Sequence, residues 1–305
     1  MQKFLEKILF DTYWACAWRR LTQEETERLP DDTHQKQYHL IRCDKDSWCA
    51  DPFVANWAGN TYLLCEKMPK YQKKAVIAAG ILTENGSVCL QPVLSPGCHT
   101  SYPAVFCHDG VWYMIPETQN AARIELWRAE EFPFSWTRQA ILLENIAAAD
   151  TTPVQMPDGS VQLWIYEQNE AENERHLWSA ALTLPAGRLT DLTKRATYSE
   201  RRGRPAGNLL NCGEKNVRPA QDGRTRYGGA IEFLKYSFTD GVYRETCVGR
   251  LTTDSISIDA NWKLLGVHTV NRLDDLEVID VYYRKFAPFR AFAALYRRLK
   301  GGRRS

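Results

Sequence analysis

The stretch ADPFVANWAGNTYLLCE, residues 50–66, is repeated twice more along the chain. The second copy is SYPAVFCHDGVWYMIPE at residues 101–117, and the third is DTTPVQMPDGSVQLWIYE at residues 150–167. Three prolines and three glutamates hold the same places in this alignment, namely Pro52, Pro103, Pro153, Glu66, Glu117 and Glu167. Self-similarity at a period of about fifty residues is typical of propellers and other repeat folds.

Each copy consists of short apolar runs separated by turn residues, such as the pairs Gly59-Asn60 and Asp109-Gly110. Four short antiparallel strands in about fifty residues make one propeller blade. We expect a degenerate fourth copy that opens at Arg218 and turns at Asp222, and a fifth unit over residues 262–283. The basic, glycine-rich residues 201–211 lack the composition of a regular strand.

Five such units and a strand-like segment at residues 13–21 predict an all-β fold, a five-bladed β-propeller over residues 1–285. In that arrangement the N-terminal strand completes the last blade, which removes the open edge of its sheet. A β-sandwich or a different repeat fold is the alternative.

Residues 286–305 form a separate unit, predicted as a basic amphipathic helix over residues 287–300 and a tail. Residues 284–305 carry eight Lys or Arg and no acid, which leaves the rest of the chain with 31 basic and 37 acidic residues. Such a helix binds an anionic membrane peripherally, docks on its own domain or stays solvated, and all three alternatives are open. The acidic body argues against nucleic acid as a partner.

The composition, with 44% hydrophobic residues, is that of a folded domain with a large core. No run of 18 apolar residues occurs, and the first ten residues are too charged for a signal peptide, so we expect a cytoplasmic protein, with the inner membrane as the candidate place of peripheral contact. The nine cysteines form no C-x-x-C pair, and we predict buried free thiols in a reducing compartment, among them Cys65, Cys89 and Cys247.

The first strand of each propeller blade lines the central channel, so residues at the starts of these strands converge from distant positions. Burying polar groups there without partners is costly, so they must pair, hold water or bind a ligand. The predicted channel residues are Asp51, His99, Tyr102, Asp150, Arg218, Asp222, His268 and Asn271.

Paired carboxylates suit acid/base chemistry on glycosidic bonds, in which one carboxyl stays protonated and the other stays ionised. Asp51 and Asp150 stand at equivalent strand starts two blades apart and form the predicted catalytic pair, with Glu117 as an assisting residue. An aspartate before a strand also caps turns, and a glutamate that recurs in every blade also bridges blades, so structural roles are the alternative.

Other polar residues of this region are predicted to bind substrate: His99, Tyr102, Arg204, Arg218, Asp222, His268 and Asn271. The two arginines either bind a phosphate or carboxylate bidentately or neutralise the channel acids. The two histidines either orient a carboxylate or ligate a metal, and we favour the first role because no H-x-x-x-H spacing is present. No glycine-rich phosphate loop or Rossmann fingerprint occurs, so we predict neither a metal nor a cofactor.

Several motifs together resemble one propeller family, the N-terminal domain of plant glucosamine inositolphosphorylceramide transferase and its bacterial stand-alone relatives. These motifs are WCADPF at 48–53, HTSYPAVFCHDGVWYMIPET at 99–118, DTTP at 150–153, RPA at 204–206, RPAQD at 218–222 and HTVN at 268–271. The resemblance covers residues 12–284, and the family is similar in fold to the five-bladed family-43 glycosidases. It implies a carbohydrate-handling propeller and, in bacteria, a role near envelope polysaccharide synthesis.

The resemblance implies that Asp51 matches the glycosidase general base and Asp150 the acid that orients the general acid. The general-acid glutamate of the fourth blade has no clean counterpart, because Arg204 stands near that place, with Glu214 close by. We expect glycosyl transfer or hydrolysis in the channel, on an envelope glycan, a sugar phosphate or a glycolipid. The alternatives are a non-catalytic glycan-binding module that serves a partner glycosyltransferase, and a scaffold that docks through its basic tail.

Overall fold

The computed structural model describes residues 9–44, 46–70, 72–169, 173–212 and 214–287. Within these residues the chain forms five sheets that stand around a common axis as the blades of a propeller. The predicted all-β, five-bladed fold is therefore confirmed. The predicted basic helix and tail at the C-terminus lie outside the described residues, which end at Ala287.

The chain starts with strand β1 (Phe10–Arg20), the one-turn helix α1 (Gln23–Thr26) and strand β2 (Lys36–Leu40). Blade 1 follows with β3 (Ser47–Trp57), β4 (Asn60–Pro69), β5 (Val76–Ile81) and β6 (Gln91–Leu94). Blade 2 consists of β7 (Ser101–His108), β8 (Val111–Glu117), a 3-10 turn (Gln119–Ala121), β9 (Arg123–Glu131) and β10 (Ser135–Glu144). Blade 3 consists of β11 (Ala148–Gln155), β12 (Val161–Asn169), β13 (Glu174–Thr183) and β14 (Arg188–Tyr198). In these three blades the strands pair in chain order.

Blade 4 contains β15 (Arg202–Pro205), β16 (Leu210–Cys212), β17 (Glu214–Asp222), β18 (Ala230–Thr239) and β19 (Val242–Leu251). Blade 5 contains a 3-10 turn (Thr253–Ser255), β20 (Ile256–Ile258), β21 (Lys263–Gly266), β22 (Val270–Leu273) and β23 (Leu276–Phe286). The ring closes because β23 pairs along its whole length with β1, from Phe10 opposite Phe286 to Arg20 opposite Leu276. Closure by the N-terminal strand is confirmed, and β2 adds a second N-terminal strand to the same blade.

Neighbouring blades pack face to face, which explains why the strand sequences are apolar on both sides. In β4, Leu64 packs with Ala104 and Met114 of blade 2, whereas the preceding residue, Leu63, packs with Val278 of blade 5. Consecutive side chains of a strand point to opposite faces of its sheet, so both faces of β4 are buried. The result is a set of apolar cores between blades, with a polar axis where the innermost strands meet.

The predicted start of the fourth blade is wrong by one strand. Arg218 and Asp222 lie on β17, the second strand of blade 4, whereas residues 202–205 of the basic, glycine-rich stretch form the innermost strand β15. Pairing with β17 satisfies the backbone of this segment and outweighs the poor strand propensity of its Arg, Gly and Pro residues. The Arg-Pro pair at 218–219 resembles the proline-containing motif of the other copies, but it lies on the second strand of its blade and not on the first.

The register of the third copy also differs from the sequence alignment. Ala50 faces Glu66 in blade 1, and Ser101 faces Glu117 in blade 2. In blade 3 the residue at the same level, Ala149, faces Tyr166, so Glu167 lies one residue out of register. Glu167 instead accepts a hydrogen bond of 2.9 Å from the indole N–H of Trp178.

The prediction that every cysteine is a buried free thiol is wrong. Cys43, in the connection between β2 and β3, forms a disulfide with Cys49 near the start of β3. Cys65 is buried as expected, but Cys89 and Cys247 are exposed. A spacing of six residues does not reveal that this connection folds back on itself.

Gly203 and Gly110 offer a matched test of the packing in blade 4. Both have positive φ, 82° and 76°, but a Cβ on Gly203 would overlap the ring of Tyr198, whereas a Cβ on Gly110 would meet nothing. We expect Gly110→Ala to lower the free energy of unfolding by about 1 kcal/mol through backbone strain alone. Gly203→Ala should cost at least about 2 kcal/mol more because overpacking adds to that strain. Urea denaturation measures the free energy of unfolding of both variants. Equal decreases would show that Tyr198 does not restrict the backbone at Gly203.

Candidate functional site

Asp51, Tyr102 and Asp150 occupy the same structural position in blades 1, 2 and 3. Each lies in a β-bulge at the start of the innermost strand, with φ of 50°, 45° and 50°. This left-handed conformation costs a non-glycine residue about 1–3 kcal/mol and persists where the surrounding structure fixes it. The bulge of blade 4 holds Gly203, so this blade projects no side chain from that position.

The carboxylate of Asp51 is almost fully buried where blades 1, 2 and 5 meet. Its Oδ2 accepts the backbone N–H of Tyr102 at 3.2 Å, and its Oδ1 accepts the hydroxyl of Thr269 at 2.7 Å. Burial raises the pKa of Asp51 to about 6, with His268 opposing the shift and the charge of Asp150 adding to it. The two aspartates of the predicted pair therefore share one electrostatic environment.

His268 is bound to an aspartate that the sequence analysis missed. Its Nδ1 lies 2.6 Å from Asp280 Oδ2 and 3.7 Å from Asp51 Oδ1. Asp280 Oδ1 also accepts the backbone N–H groups of His268 and Thr269 at 3.0 Å each. Burial lowers the pKa of His268, but the charge and hydrogen bond of Asp280, together with the charges of Asp51 and Asp150, outweigh burial and the net shift is upward. The signal that could have revealed Asp280 is the presence of two acids, Glu277 and Asp280, inside the otherwise apolar first half of strand β23.

Arg204 binds Asp150 and Glu117 together. Its Nε donates to Asp150 Oδ2 at 2.5 Å, and its Nη2 donates to Asp150 Oδ1 at 3.0 Å and to Glu117 Oε2 at 2.7 Å. The amide of Gln221 also donates to Asp150 Oδ2 at 2.8 Å. Burial raises the pKa of Asp150 to about 7, with Arg204 opposing the shift and Glu117 adding to it. Of the two alternatives for Arg204, the structure shows contact with the channel acids.

His99 lies beside Glu66 and not directly against the predicted catalytic pair. Its Nε2 is 3.4 Å from Glu66 Oε1, and its Nδ1 accepts the backbone N–H of Ala75 at 3.2 Å. Because Nδ1 accepts, Nε2 carries the proton of the neutral ring and faces Glu66. Burial raises the pKa of Glu66 well above its usual value, and the charges of Asp51 and Glu117 add to the shift. Two of the three aligned glutamates thus face the channel.

Tyr102 and Asn271 close the channel beneath the acids. The hydroxyl of Tyr102 accepts the backbone N–H of Gly207 at 2.8 Å. The amide of Asn271 donates to the carbonyl of Pro52 and accepts the N–H of Asn208, both at 2.8 Å. Both side chains are fully buried. The structure therefore places these two predicted substrate-binding residues in contacts that join the blades.

Arg218 and Asp222 lie away from the channel, as their place on β17 requires. Arg218 is buried between blades 3 and 4, where its Nη2 donates to Tyr198 Oη at 2.6 Å and to Glu245 Oε2 at 2.7 Å. Asp222 accepts from the guanidinium of Arg224 at 2.8 Å. The predicted convergence of these two residues with the other channel residues is wrong.

A cleft of about 430 Å³ opens beside Arg204, between blades 3 and 4. Its lining includes three arginines, two glutamines, two tyrosines and one acid: Arg175, Arg201, Arg204, Gln168, Gln221, Tyr166, Tyr227 and Glu174. Glu174 lies 3.8 Å from His176 Nε2. Arg175 donates to the carbonyls of Asn173 and Ser199, and neither it nor Arg201 has an acidic partner within the described residues. The ring of Tyr227 is held near His268 at 5.3 Å, and the residue is 55% exposed. The cleft therefore offers positive charge, an amide and aromatic surface to a ligand.

Three potential metal ligands meet at the bottom of the channel. One atom each from Asp51, His268 and Asp280 lies within 4.8 Å of the others, and all three residues are buried. The hydrogen bonds among these side chains and to the backbone N–H groups give them a set of protein partners. The arrangement matches the carboxylate-orienting role favoured for His268, and the expectation that no metal is bound stays a prediction.

Residues 41–282 match the family described as glucosamine inositolphosphorylceramide transferase 1, N-terminal. The chain belongs to this family. The rice protein named glucosamine inositolphosphorylceramide transferase 1 (Oryza sativa subsp. japonica) is 25% identical over 214 residues, which are 66% of this chain and 28% of that protein. The chain thus spans little more than a quarter of the rice relative.

Solved structures share the fold of this family member at very low sequence identity. A thermostable family-43 glycoside hydrolase superposes with a TM-score of 0.58 at 10% identity, over 83% of this chain and 92% of that chain. The catalytic domain of the GH62 α-L-arabinofuranosidase of Coprinopsis cinerea gives a TM-score of 0.52 at 9% identity, over 90% and 97%. The family and the glycosidase-like fold expected from the resemblance are therefore confirmed.

The expected cellular setting stays a prediction. The curated relative is a plant protein, so a bacterial envelope role and a cytoplasmic location rest on the sequence analysis alone. Among the described residues no helix has the length and apolar character needed to cross a bilayer.

Asp51 should make stability fall as the pH rises through the acidic range. Its pKa is about 6 in the folded protein and about 3.9 in an unfolded chain, so the folded state binds the extra proton between these values. Relative to Asp51→Asn, wild-type stability should fall by on the order of 3 kcal/mol between about pH 4 and pH 7. Urea unfolding across this range measures the difference. Asparagine does not titrate, its Oδ1 can accept the N–H of Tyr102 and its Nδ2 can donate to the hydroxyl oxygen of Thr269. A constant difference between the two proteins would therefore contradict the raised pKa.

Proposed function

We propose that this propeller binds an acidic glycan, one that carries a carboxylate, phosphate or sulfate group, in the cleft between blades 3 and 4. The observation that carries the proposal is the charge of the cleft wall. Arg175 and Arg201 line it without acidic partners in the described chain, beside an Arg204 that Asp150 and Glu117 hold in place. Arginine recognises planar oxyanions through paired N–H donors.

The rest of the cleft suits a sugar. Tyr166 and Tyr227 offer aromatic surface, and the amide of Gln168 lines the same cleft. Binding sites commonly combine such surface with a few polar groups that fix orientation. The names of the relatives, a glucosamine inositolphosphorylceramide transferase and two glycoside hydrolases, support a carbohydrate as ligand for this carbohydrate-active propeller.

The channel acids favour binding over hydrolysis. Hydrolysis of a glycosidic bond requires one carboxyl group that delivers a proton and a second that activates water or attacks. Both oxygens of Asp150 are engaged by Arg204, and Gln221 takes a further lone pair of Oδ2. The acids Asp222, Glu232 and Glu245 of blade 4 all pair with arginines. The acids on the strands of blade 4 whose side chains are described are thus all committed to arginines, and Asp240 lies in the turn between β18 and β19.

A glycan array with acidic glycans and their neutral counterparts tests the proposal. We expect acidic glycans to bind and their neutral counterparts to bind much more weakly. Arg201→Ala should lower the affinity about tenfold, the loss expected for one charge-assisted contact at a partly exposed site. Lys194→Ala removes an exposed cation from the outer strand of blade 3 and should leave binding unchanged. Equal binding of acidic and neutral glycans would contradict the proposal.

Glycosyl transfer or hydrolysis by Asp51 is the second candidate function. The observation that favours it is the pKa of about 6 that burial gives Asp51, which suits a general base near neutral pH. Turnover of the bound glycan, measured by release of reducing ends or by transfer to an acceptor, distinguishes the candidates. An enzyme should lose at least about a hundredfold in rate in Asp51→Asn while it keeps its affinity. A binding module shows no turnover in either protein.

The activity of the whole plant protein is a further step of the proposal. Because the chain covers 28% of the rice relative, this propeller would hold the glycan for a transferase that lies elsewhere. Contact of the basic C-terminal segment with a membrane surface would bring such a glycan within reach. Delivery of a glycan to a separate transferase and contact with a membrane are thus both part of the proposed function.

A further inference from the structure

A second cleft, of about 450 Å³, lies between blades 5 and 1. Its aromatic lining comes from Trp14, Trp48, Trp262 and Tyr283. The rings of Trp262 and Tyr283 are stacked at 4.0 Å, which holds the indole in a fixed orientation. Fixed aromatic faces of this kind provide contact area at a low cost in conformational entropy.

The second cleft also has an excess of positive charge. Its two acids have partners, because Asp44 binds Lys67 and Asp259 lies 3.3 Å from His39. Arg42 and Lys285 line the same cleft and have no acidic partner in the described part of the chain; Lys285 lies over the ring of Trp262 at 5.4 Å. The chemistry of the first cleft is thus repeated in a second place.

The two clefts are joined through one aromatic contact. Tyr227 lines the first cleft, Trp14 lines the second, and their rings meet edge to face at 6.0 Å. Trp14 also stacks on His268 at 3.9 Å and so roofs the buried acids of the channel. The contact between Tyr227 and Trp14 therefore connects the two positively charged clefts and covers the channel.

The geometry points to one extended binding track for an acidic oligosaccharide, which starts in the cleft of Arg201, crosses Tyr227 and Trp14, and ends in the cleft of Trp262 and Lys285. This inference rests on the proposed function and extends it from a single acidic sugar to a chain of several acidic residues. Two clefts that hold one molecule raise its affinity because the second contact is made within the complex. The channel acids Asp150, Glu117 and Asp280 are paired with Arg204 and His268, which reduces their repulsion of such a chain.

Affinity as a function of chain length tests the track. Isothermal titration calorimetry with the intact protein uses three acidic series, oligogalacturonides, oligomannuronates and heparin-derived oligosaccharides, each as a disaccharide and as an octasaccharide. In at least one series we expect the octasaccharide to bind on the order of a hundredfold more tightly than the disaccharide. The double variant Arg42→Glu/Lys285→Glu should abolish this gain, so that the octasaccharide binds the variant about as tightly as the disaccharide does. Arg201→Ala should weaken both lengths.

Trp57 provides the control for a general effect of exposed aromatic side chains. It ends β3 on the side opposite Asp51, is 44% exposed and lies outside both clefts, so Trp57→Ala should keep the length dependence. Trp262→Leu repeats the test without a change of charge, and thermal unfolding shows whether each variant is folded. Equal affinity for both lengths, or a gain that survives in the double variant, would overturn the track and leave the proposed function standing. Absence of binding in every series would overturn the proposed function itself.

Discussion

The structure depends on the neutralisation of carboxyl groups that the propeller buries around its axis. Asp51, Glu66, Glu117, Asp150 and Asp280 come from four blades and are largely removed from water. An isolated buried charge is expensive, so each group needs a partner or must hold its proton. Arg204 and His268 supply the cations, one on each side of the axis. The blades can converge on this point only because these partners are in place.

Backbone geometry then decides which side chains reach the axis. The same bulge is built into blades 1, 2 and 3, but it carries an aspartate, a tyrosine and an aspartate, and blade 4 fills it with a glycine. A repeat fold can therefore vary the chemistry of its axis one blade at a time while the inter-blade cores stay unchanged. The hydroxyl of Tyr102 in blade 2 accepts the N–H of Gly207 in blade 4 and so joins these two blades. At this position the side chain therefore has a structural role.

Local periodicity made the blade architecture predictable, whereas the site required knowledge of register. The apolar runs, Gly-containing turns and the fifty-residue period sufficed for five blades and for closure by β1. They also placed Asp51 and Asp150 at the starts of innermost strands, although the alignment on the prolines sets Thr152, and not Asp150, beside Asp51. Arg218 and Asp222 were misplaced because β15, an Arg-Gly-Arg-Pro segment, owes its strand conformation to its neighbour and not to its own composition. Asp280 had no motif at all, since a buried acid in an apolar strand acquires its role only from His268.

The contacts of Arg204 bear on what chemistry this glycosidase-like fold retains. A carboxyl group works as a proton donor or acceptor only if a lone pair or proton is open to the reacting oxygen. In Asp150 the lone pairs face a guanidinium and an amide, so its burial is balanced within the protein and not by a substrate. The same guanidinium is then fixed without any ligand, which removes much of the entropy that a flexible arginine loses on binding. The charge of Arg204 is thus taken up by Asp150 and Glu117, so attraction of an anion falls to Arg175 and Arg201, and Arg204 offers no proton to a reacting oxygen.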